Sequence, residues 1–218
     1  MRKLTAFILI LYCLFALYGC EKENPYLAYV SDLTQDVYVC ETDAFTVKAT
    51  YGFREEPFVN DGKAGERVYG YTFTLNIIPD DVRRTVQFTF EKENYSAAFA
   101  LDGVSNEYKA FVEINCRFEK QFAATISTGA KKSELTFISE LPNGCITYEC
   151  ALDILAATQQ PLLNVYTTEN GFNAELYMRV FVKNGKPYWY VGIAQNNKLK
   201  AFLMDGVSGD LLAVRDIF

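Results

Sequence analysis

The chain has 218 residues, of which 50% are apolar and 15% aromatic, and this composition excludes an intrinsically disordered protein. It carries 21 basic and 27 acidic side chains, a formal net charge of −6. That balance argues against nucleic acid or an anionic membrane surface as a partner, because both attract clustered Lys and Arg. Histidine is absent, which excludes Ser-His-Asp and Cys-His catalysis and zinc sites built on His. We expect no cofactor and no metal site.

The N-terminus has the layout of a secretory signal peptide. Arg2 and Lys3 form a short basic stretch, and residues 4–17 are almost wholly apolar, a run shorter than the roughly 20 residues of a membrane-spanning helix. The motif Leu17-Tyr18-Gly19-Cys20 then resembles the lipobox of bacterial lipoproteins. Leu three positions before Cys and a small residue directly before it fit that motif, whereas Tyr18 is bulkier than usual.

The lipobox resemblance implies that residues 1–19 are a lipoprotein signal peptide, removed when Cys20 receives its diacylglyceryl group. Palmitate-like acyl chains then hold the protein to the extracytoplasmic face of the cell membrane, since each buried CH₂ adds about 0.8 kcal/mol. Loss of the two basic residues Arg2 and Lys3 changes the formal net charge from −6 to −8. An ordinary cleaved signal, or an uncleaved anchor with an incidental Cys, is the alternative.

The sequence after the leader predicts a tether and then a β-rich domain. Residues 20–35 are polar and contain Pro25, so we expect a tether there. Between 36 and 140, apolar and polar residues alternate with a period of two, which is typical of half-buried strands. We therefore predict an antiparallel β-sandwich of about seven to nine strands, with undetermined order. The clearest runs are 44–50, 69–77, 85–90, 108–114, 122–126 and 135–138.

Four cysteines follow Cys20: Cys40, Cys116, Cys145 and Cys150. Outside the cytoplasm they allow two disulfides in three pairings. Cys40 and Cys116 fall in predicted strands of the sandwich, so a bridge between them is one candidate, and buried free thiols are the other. The absence of a CxxC motif argues against a redox site or a zinc ribbon.

The sequence pattern changes near residue 141. Thr147 is a predicted N-cap for a helix over about 148–157, and Pro161 is its predicted stop. Strands follow over about 174–183, 188–194 and 199–204. Asn184-Gly185 predicts a hairpin turn, and the turn over 205–210 leads into a last strand at about 211–214.

The predicted helix capped by Thr147, the strand after Asn184-Gly185 and the last hairpin together resemble a PepSY-type domain, over about residues 145–218. The last hairpin of that family reads Asp-x-x-Ser/Thr-Gly-Glu/Asp between two apolar strands, and Asp205, Ser208, Gly209 and Asp210 match it position by position. We also expect Asp205 to cap this turn and Gly209 to take a positive φ. The resemblance implies a helix packed on an antiparallel sheet, in an extracytoplasmic protein that binds or inhibits other proteins, with no catalytic residue. A generic helix-and-hairpin domain is the alternative.

The segment Tyr188-Trp189-Tyr190 is the densest aromatic cluster and the candidate binding surface. In a strand, Tyr188 and Tyr190 share one face and Trp189 takes the other. One face must pack on the helix, so at least one of these sets is core. We expect the carboxylates of Glu55-Glu56 and Asp80-Asp81 to be solvated loop charges.

These observations predict a mainly β (α+β) protein, with an N-terminal antiparallel β-sandwich at 36–140 and a small PepSY-like domain at 141–218. The expected function is non-catalytic protein binding or assembly by a membrane-anchored extracytoplasmic lipoprotein, with an unknown protein or cell-envelope partner. A lipoprotein that binds a small ligand or cell-wall glycan is one alternative. A hydrolase that uses carboxylates is the other.

Overall fold

The computed structural model describes residues 24–42, 46–57, 65–75, 84–90, 93–103, 105–128 and 131–217. Among these residues, strands account for 62% and helices for 13%, which confirms the prediction of a mainly β protein. The leader, Cys20 and the pair Asp80-Asp81 lie outside the described residues.

A short 3-10 helix at Pro25–Tyr29 precedes fifteen described strands and two α-helices. The N-terminal strands are β1 (Val30–Glu41), β2 (Thr46–Glu55), β3 (Arg67–Leu75), β4 (Arg84–Phe90), β5 (Glu93–Ala98), β6 (Ala100–Asp102), β7 (Glu107–Glu113), β8 (Gln121–Thr128) and β9 (Lys131–Ser139). The helices are α1 (Tyr148–Thr158) and α2 (Gln160–Val165). The C-terminal strands are β10 (Thr167–Thr168), β11 (Gly171–Phe172), β12 (Glu175–Lys183), β13 (Lys186–Gln195), β14 (Lys198–Asp205) and β15 (Leu211–Ile217).

Thirteen of the described strands form one mixed sheet that is organised around β1. One path through it runs β15-β14-β13-β12-β1-β2-β3-β7-β6, and a second runs from β1 through β9 and β8 to β4 and β5. Both paths use the same edge of β1, which pairs with one strand near its start and with another near its end. Val30–Thr34 pairs with β12 in parallel, and Tyr38–Val39 pairs with β9 antiparallel.

The sheet supports two hydrophobic cores. Along β2, Val47, Ala49 and Tyr51 face the N-terminal core, and Phe53, the next residue in the same alternation, faces the C-terminal core. The two cores therefore lie on the same side of β2. The larger buried residues of the N-terminal core are Tyr38, Tyr51, Tyr71, Phe73, Val112, Phe122, Ile126 and Phe137. Those of the C-terminal core are Val30, Leu33, Phe53, Leu152, Leu155, Leu163, Leu176, Met178, Trp189 and Phe202.

The predicted tether is too long, because residues 24–35 belong to the fold. Asn24 caps the 3-10 helix, where its side chain accepts a hydrogen bond from the N–H of Tyr26 at 2.9 Å. Tyr26 is 9% exposed, and Val30 and Leu33 are buried in the C-terminal core. Residues 30–35 lie within β1, in which the polar Ser31 is buried together with the apolar Val30 and Leu33.

The C-terminal elements agree with the predicted positions. The Thr147 side chain accepts from the N–H of Cys150 at 3.3 Å and caps α1. Pro161 follows the end of α1 but also opens α2, a second helix that was not predicted. Pro suits a first helical turn because no N–H is needed there.

In the last turn, Asp205 Oδ1 accepts hydrogen bonds from the N–H groups of residues 207 and 208 at 2.9 Å each, and Gly209 has φ +76°. Both turn predictions are confirmed.

Candidate functional site

Trp189 belongs to the C-terminal core, so its prediction as part of a binding surface is wrong. Its side chain is 1% exposed, and its Nε1–H donates to the carbonyl oxygen of Ile146 at 3.0 Å. Tyr188 and Tyr190 point to the opposite face of β13 and are half-buried. The predicted alternation is therefore confirmed, and the helices decide which face is covered.

The face of β12 and β13 that carries Tyr188 and Tyr190 is rich in aromatic side chains. Phe181 stacks on Tyr188 with ring centroids 5.5 Å apart. Burial raises the pKa of Tyr190. The positive charge of Arg179, the residue opposite Tyr190 on β12, partly offsets this by lowering the same pKa. We call the surface formed by Tyr177, Phe181, Tyr188 and Tyr190 the aromatic face.

An open groove of about 390 Å³ adjoins the aromatic face across β1, β2, β3 and β7. Its basic side chains are Lys48, Arg54, Lys109 and Arg179, and each has a carboxylate within 4.0 Å. The Arg54 guanidinium also lies 4.0 Å from the centroid of the Phe111 ring. The groove therefore offers hydroxyls, paired charges and one aromatic platform, without an unpaired cation among these four.

The outermost strand on the C-terminal side, β15, pairs only with β14 among the described strands. Residues 212–217 are all exposed. Leu212, Val214 and Ile217 are 51%, 47% and 41% exposed, so this edge strand presents three large apolar side chains. The sequence predicted this strand only to 214, because Arg215-Asp216 interrupts the apolar pattern. No sequence signal showed that it would be an edge.

The cysteines and carboxylates singled out in the sequence do not form a site. Cys40, Cys116, Cys145 and Cys150 are free thiols in the structure, so the Cys40–Cys116 bridge is not formed. Cys40 pairs in register with Val47 near the hairpin end of β1 and β2. Cys116 instead lies close enough to Tyr51, four residues further along β2, to raise the pKa of its hydroxyl. The register thus separates the two thiols along the sheet.

The predicted carboxylate positions differ from each other in burial. Glu55 is 4% exposed, so the expectation of a solvated loop charge is wrong for it; it lies within β2. Glu56 is exposed and forms an ion pair with Arg54 at 3.8 Å. Within the ranges that the structure describes, no three Cys, Asp or Glu side chains are grouped to hold a metal ion. None of the described helices has the length and apolar character needed to cross a membrane.

Comparisons of the chain with protein-family models, with curated proteins and with solved structures found no match.

Proposed function

We propose that this protein is an extracytoplasmic lipoprotein, anchored through Cys20, that binds an extended segment of a partner protein at the edge strand β15. The observation that carries the proposal is a strand with one described neighbour that exposes the apolar side chains Leu212, Val214 and Ile217, of which Val214 and Ile217 lie on opposite faces. A sheet edge of this kind pairs readily with an incoming strand, because its backbone N–H and C=O groups lack partners in a ladder.

The charges of β15 leave its edge accessible to such a strand. Natural proteins often protect an edge with charged side chains that repel a second chain. Here the carboxylate of Asp216 is bound by Lys200 of the neighbouring strand, with Nζ 2.8 Å from Oδ1. Arg215 is then the one unpaired charge among the described residues of β15, and it favours a partner segment that places an acidic residue opposite it.

The lipid anchor and the PepSY-like character of residues 141–218 are part of the same proposal. The lipobox-like residues 17–20 support the anchor. The Asp205 turn and the packing of α1 against β12, β13 and β14 support the PepSY-like character, which agrees with a protein-binding function. The pairing of β4 with β8, of β8 with β9 and of β9 with β1 supports an N-terminal sandwich. The anchor is tested by a Cys20→Ala variant under metabolic acyl labelling, and retained label contradicts it.

Strand capture at β15 is tested with a photo-crosslinking amino acid at Val214. The matched control position is Val165 on α2, which is 77% exposed. In host membranes we expect one discrete adduct from position 214 and none from position 165. In the purified complex, exchange of the β15 amides should slow by about tenfold or more, whereas exchange in the opposite edge strand β6 should not change. Unchanged exchange in β15, or an adduct to a second copy of this chain, contradicts the proposal.

The groove favours a second candidate function, binding of a cell-wall glycan. Phe111 lines the groove with the Arg54 guanidinium 4.0 Å from its ring centroid, and Thr50, Thr72 and Thr74 add hydroxyls to the lining. Titration with soluble glycan fragments tests this function. Binding that is lost in Phe111→Ala supports it, and an absence of binding to the unaltered protein contradicts it.

A further inference from the structure

We infer that the anchor holds the protein in a fixed orientation, with the surface around the 3-10 helix against the phospholipid headgroups and the N-terminal core held away from them. This inference rests on the anchor of the proposed function. It needs in addition a short connection between the anchor and the fold. Both parts can be tested separately.

The connection is short because Asn24, the first residue that the structure describes, already belongs to the fold. Three residues lie between Cys20 and Asn24, and the four steps that join these two positions span at most about 3.6 Å each, or roughly 14 Å in all. That reach is about half of the hydrocarbon thickness of a bilayer. The part of the surface where the chain enters the fold must therefore lie close to the lipid.

The entry point is fastened to the body by hydrogen bonds to three separate elements. Asn24 Nδ2 donates to Asp153 Oδ1 of α1 at 2.7 Å. Arg67 Nη2 of β3 donates to the carbonyl oxygen of Leu27 at 2.8 Å. Gln160 Nε2 of α2 donates to the hydroxyl of Tyr26 at 3.3 Å, and the Tyr26 ring also contacts the Phe172 ring edge-on at 5.0 Å. The 3-10 helix is thus part of the folded body and cannot lengthen the tether.

The chemistry of this surface suits the headgroup region. Pro25 and Ala28 are exposed, and with Leu27, Arg67 and Tyr148 they border a cleft of about 300 Å³. An Arg that pairs with phosphate and a Tyr with an apolar ring are the residue types that occupy membrane interfaces.

The N-terminal core lies far from the entry point. β1 runs from Val30, next to the 3-10 helix, to Glu41, a length of about 36 Å at roughly 3.3 Å per residue. Tyr38 and Cys40, near its far end, belong to the N-terminal core. With the entry surface against the membrane, we expect the far end of β1 to lie away from the membrane.

The orientation is tested by placing a fluorescent amino acid either at Ala28 or at Glu41, both exposed positions, in the full lipidated chain. Each protein is reconstituted in vesicles of neutral phospholipid that contains nitroxide-labelled headgroups. We expect quenching at position 28 to be several-fold stronger than at position 41. Equal quenching, or stronger quenching at position 41, overturns the inference.

Two further measurements separate the orientation from the anchor. Insertion of a flexible Gly/Ser linker of about 12 residues before Asn24 should remove most of the difference in quenching, because the body can then turn. An undiminished difference overturns the part of the inference that rests on the short connection. Flotation with vesicles reports on the anchor alone: if the Cys20→Ala variant floats as well as the unaltered protein, the anchor of the proposed function fails, whatever the quenching.

Discussion

Arg117 binds Asp36 with two hydrogen bonds at the point where β1 passes from one core to the other. Nε lies 2.6 Å from Oδ2 and Nη2 lies 2.8 Å from Oδ1. The Asp36 side chain is 3% exposed and the Arg117 side chain 51%, and the hydrogen bonds to Asp36 raise the pKa of Arg117. The pairing register of β1 with β2 also shifts between Thr34 and Asp36. The ion pair thus fixes the irregular part of the strand that both cores share.

We predict that Arg117→Ala lowers the free energy of unfolding by about 2–4 kcal/mol, because it leaves a buried carboxylate without its cation. The control is Arg179→Ala, which removes a 2.8 Å ion pair to Asp32 whose side chains are 56% and 25% exposed. We expect a loss of about 0–1 kcal/mol there. Urea denaturation of both variants measures the difference, and equal losses would show that burial of Asp36 does not matter.

Substitutions at Gly209 and Gly185 distinguish the cost of backbone strain from the cost of overpacking. Both have positive φ, +76° and +72°. A Cβ at residue 209 would lie 2.3 Å from Cδ1 of Ile154, whereas a Cβ at residue 185 has nothing within 4 Å. We predict a loss of about 1 kcal/mol for Gly185→Ala from the backbone alone, and a further 1–3 kcal/mol for Gly209→Ala from overpacking. Thermal unfolding measures both, and a larger loss at Gly185 contradicts the packing argument.

Trp189 is the single tryptophan and lies in the C-terminal core, so its fluorescence reports on that core. Because β1 is shared, we predict that Phe137→Leu, a substitution in the N-terminal core, lowers the urea midpoint measured by Trp189 fluorescence by the same amount as the midpoint measured by circular dichroism. The exposed position Ile138 provides the control, since Ile138→Val should leave both midpoints in place. A fluorescence midpoint that stays unchanged in Phe137→Leu would mean that the cores unfold independently.

Burial raises the pKa of Tyr51 to about 12 and that of Tyr148 also to about 12. An unfolded tyrosine titrates near pH 10, so the folded state keeps these hydroxyls protonated where the unfolded state releases the proton. Their contribution to stability is complete below about pH 10 and is lost as the pH rises to about 12. We predict that Tyr51→Phe unfolds at a higher pH than the unaltered protein. Tyrosinate absorbance measures the titration, and an unshifted alkaline transition contradicts the prediction.

The strands were predictable where the signal is local. The alternation of β2, β3, β7 and β12 through β14 shows in the sequence because side chains repeat every second residue. The strands β5 and β6 were missed; Ala97 and Ala98 give no alternation there. The burial of Trp189 was undecidable from the sequence, because aromatic residues occupy both faces of β13 and only the position of the helices distinguishes them. The β15 edge depends on the order of strands, which no local pattern encodes.

The parallel pairing of Val30 with Leu176 joins positions 146 residues apart in the chain. Contacts of such high sequence separation form slowly, since a long loop must close before they are made. During synthesis, β1 emerges long before β12 exists, and the edge that it later gives to β12 stays bare. In the extracytoplasmic protein that we propose, this edge of β1 stays bare until the last quarter of the chain, which contains β12, has been exported. Its folding therefore depends on whatever keeps β1 from pairing with another chain in that interval.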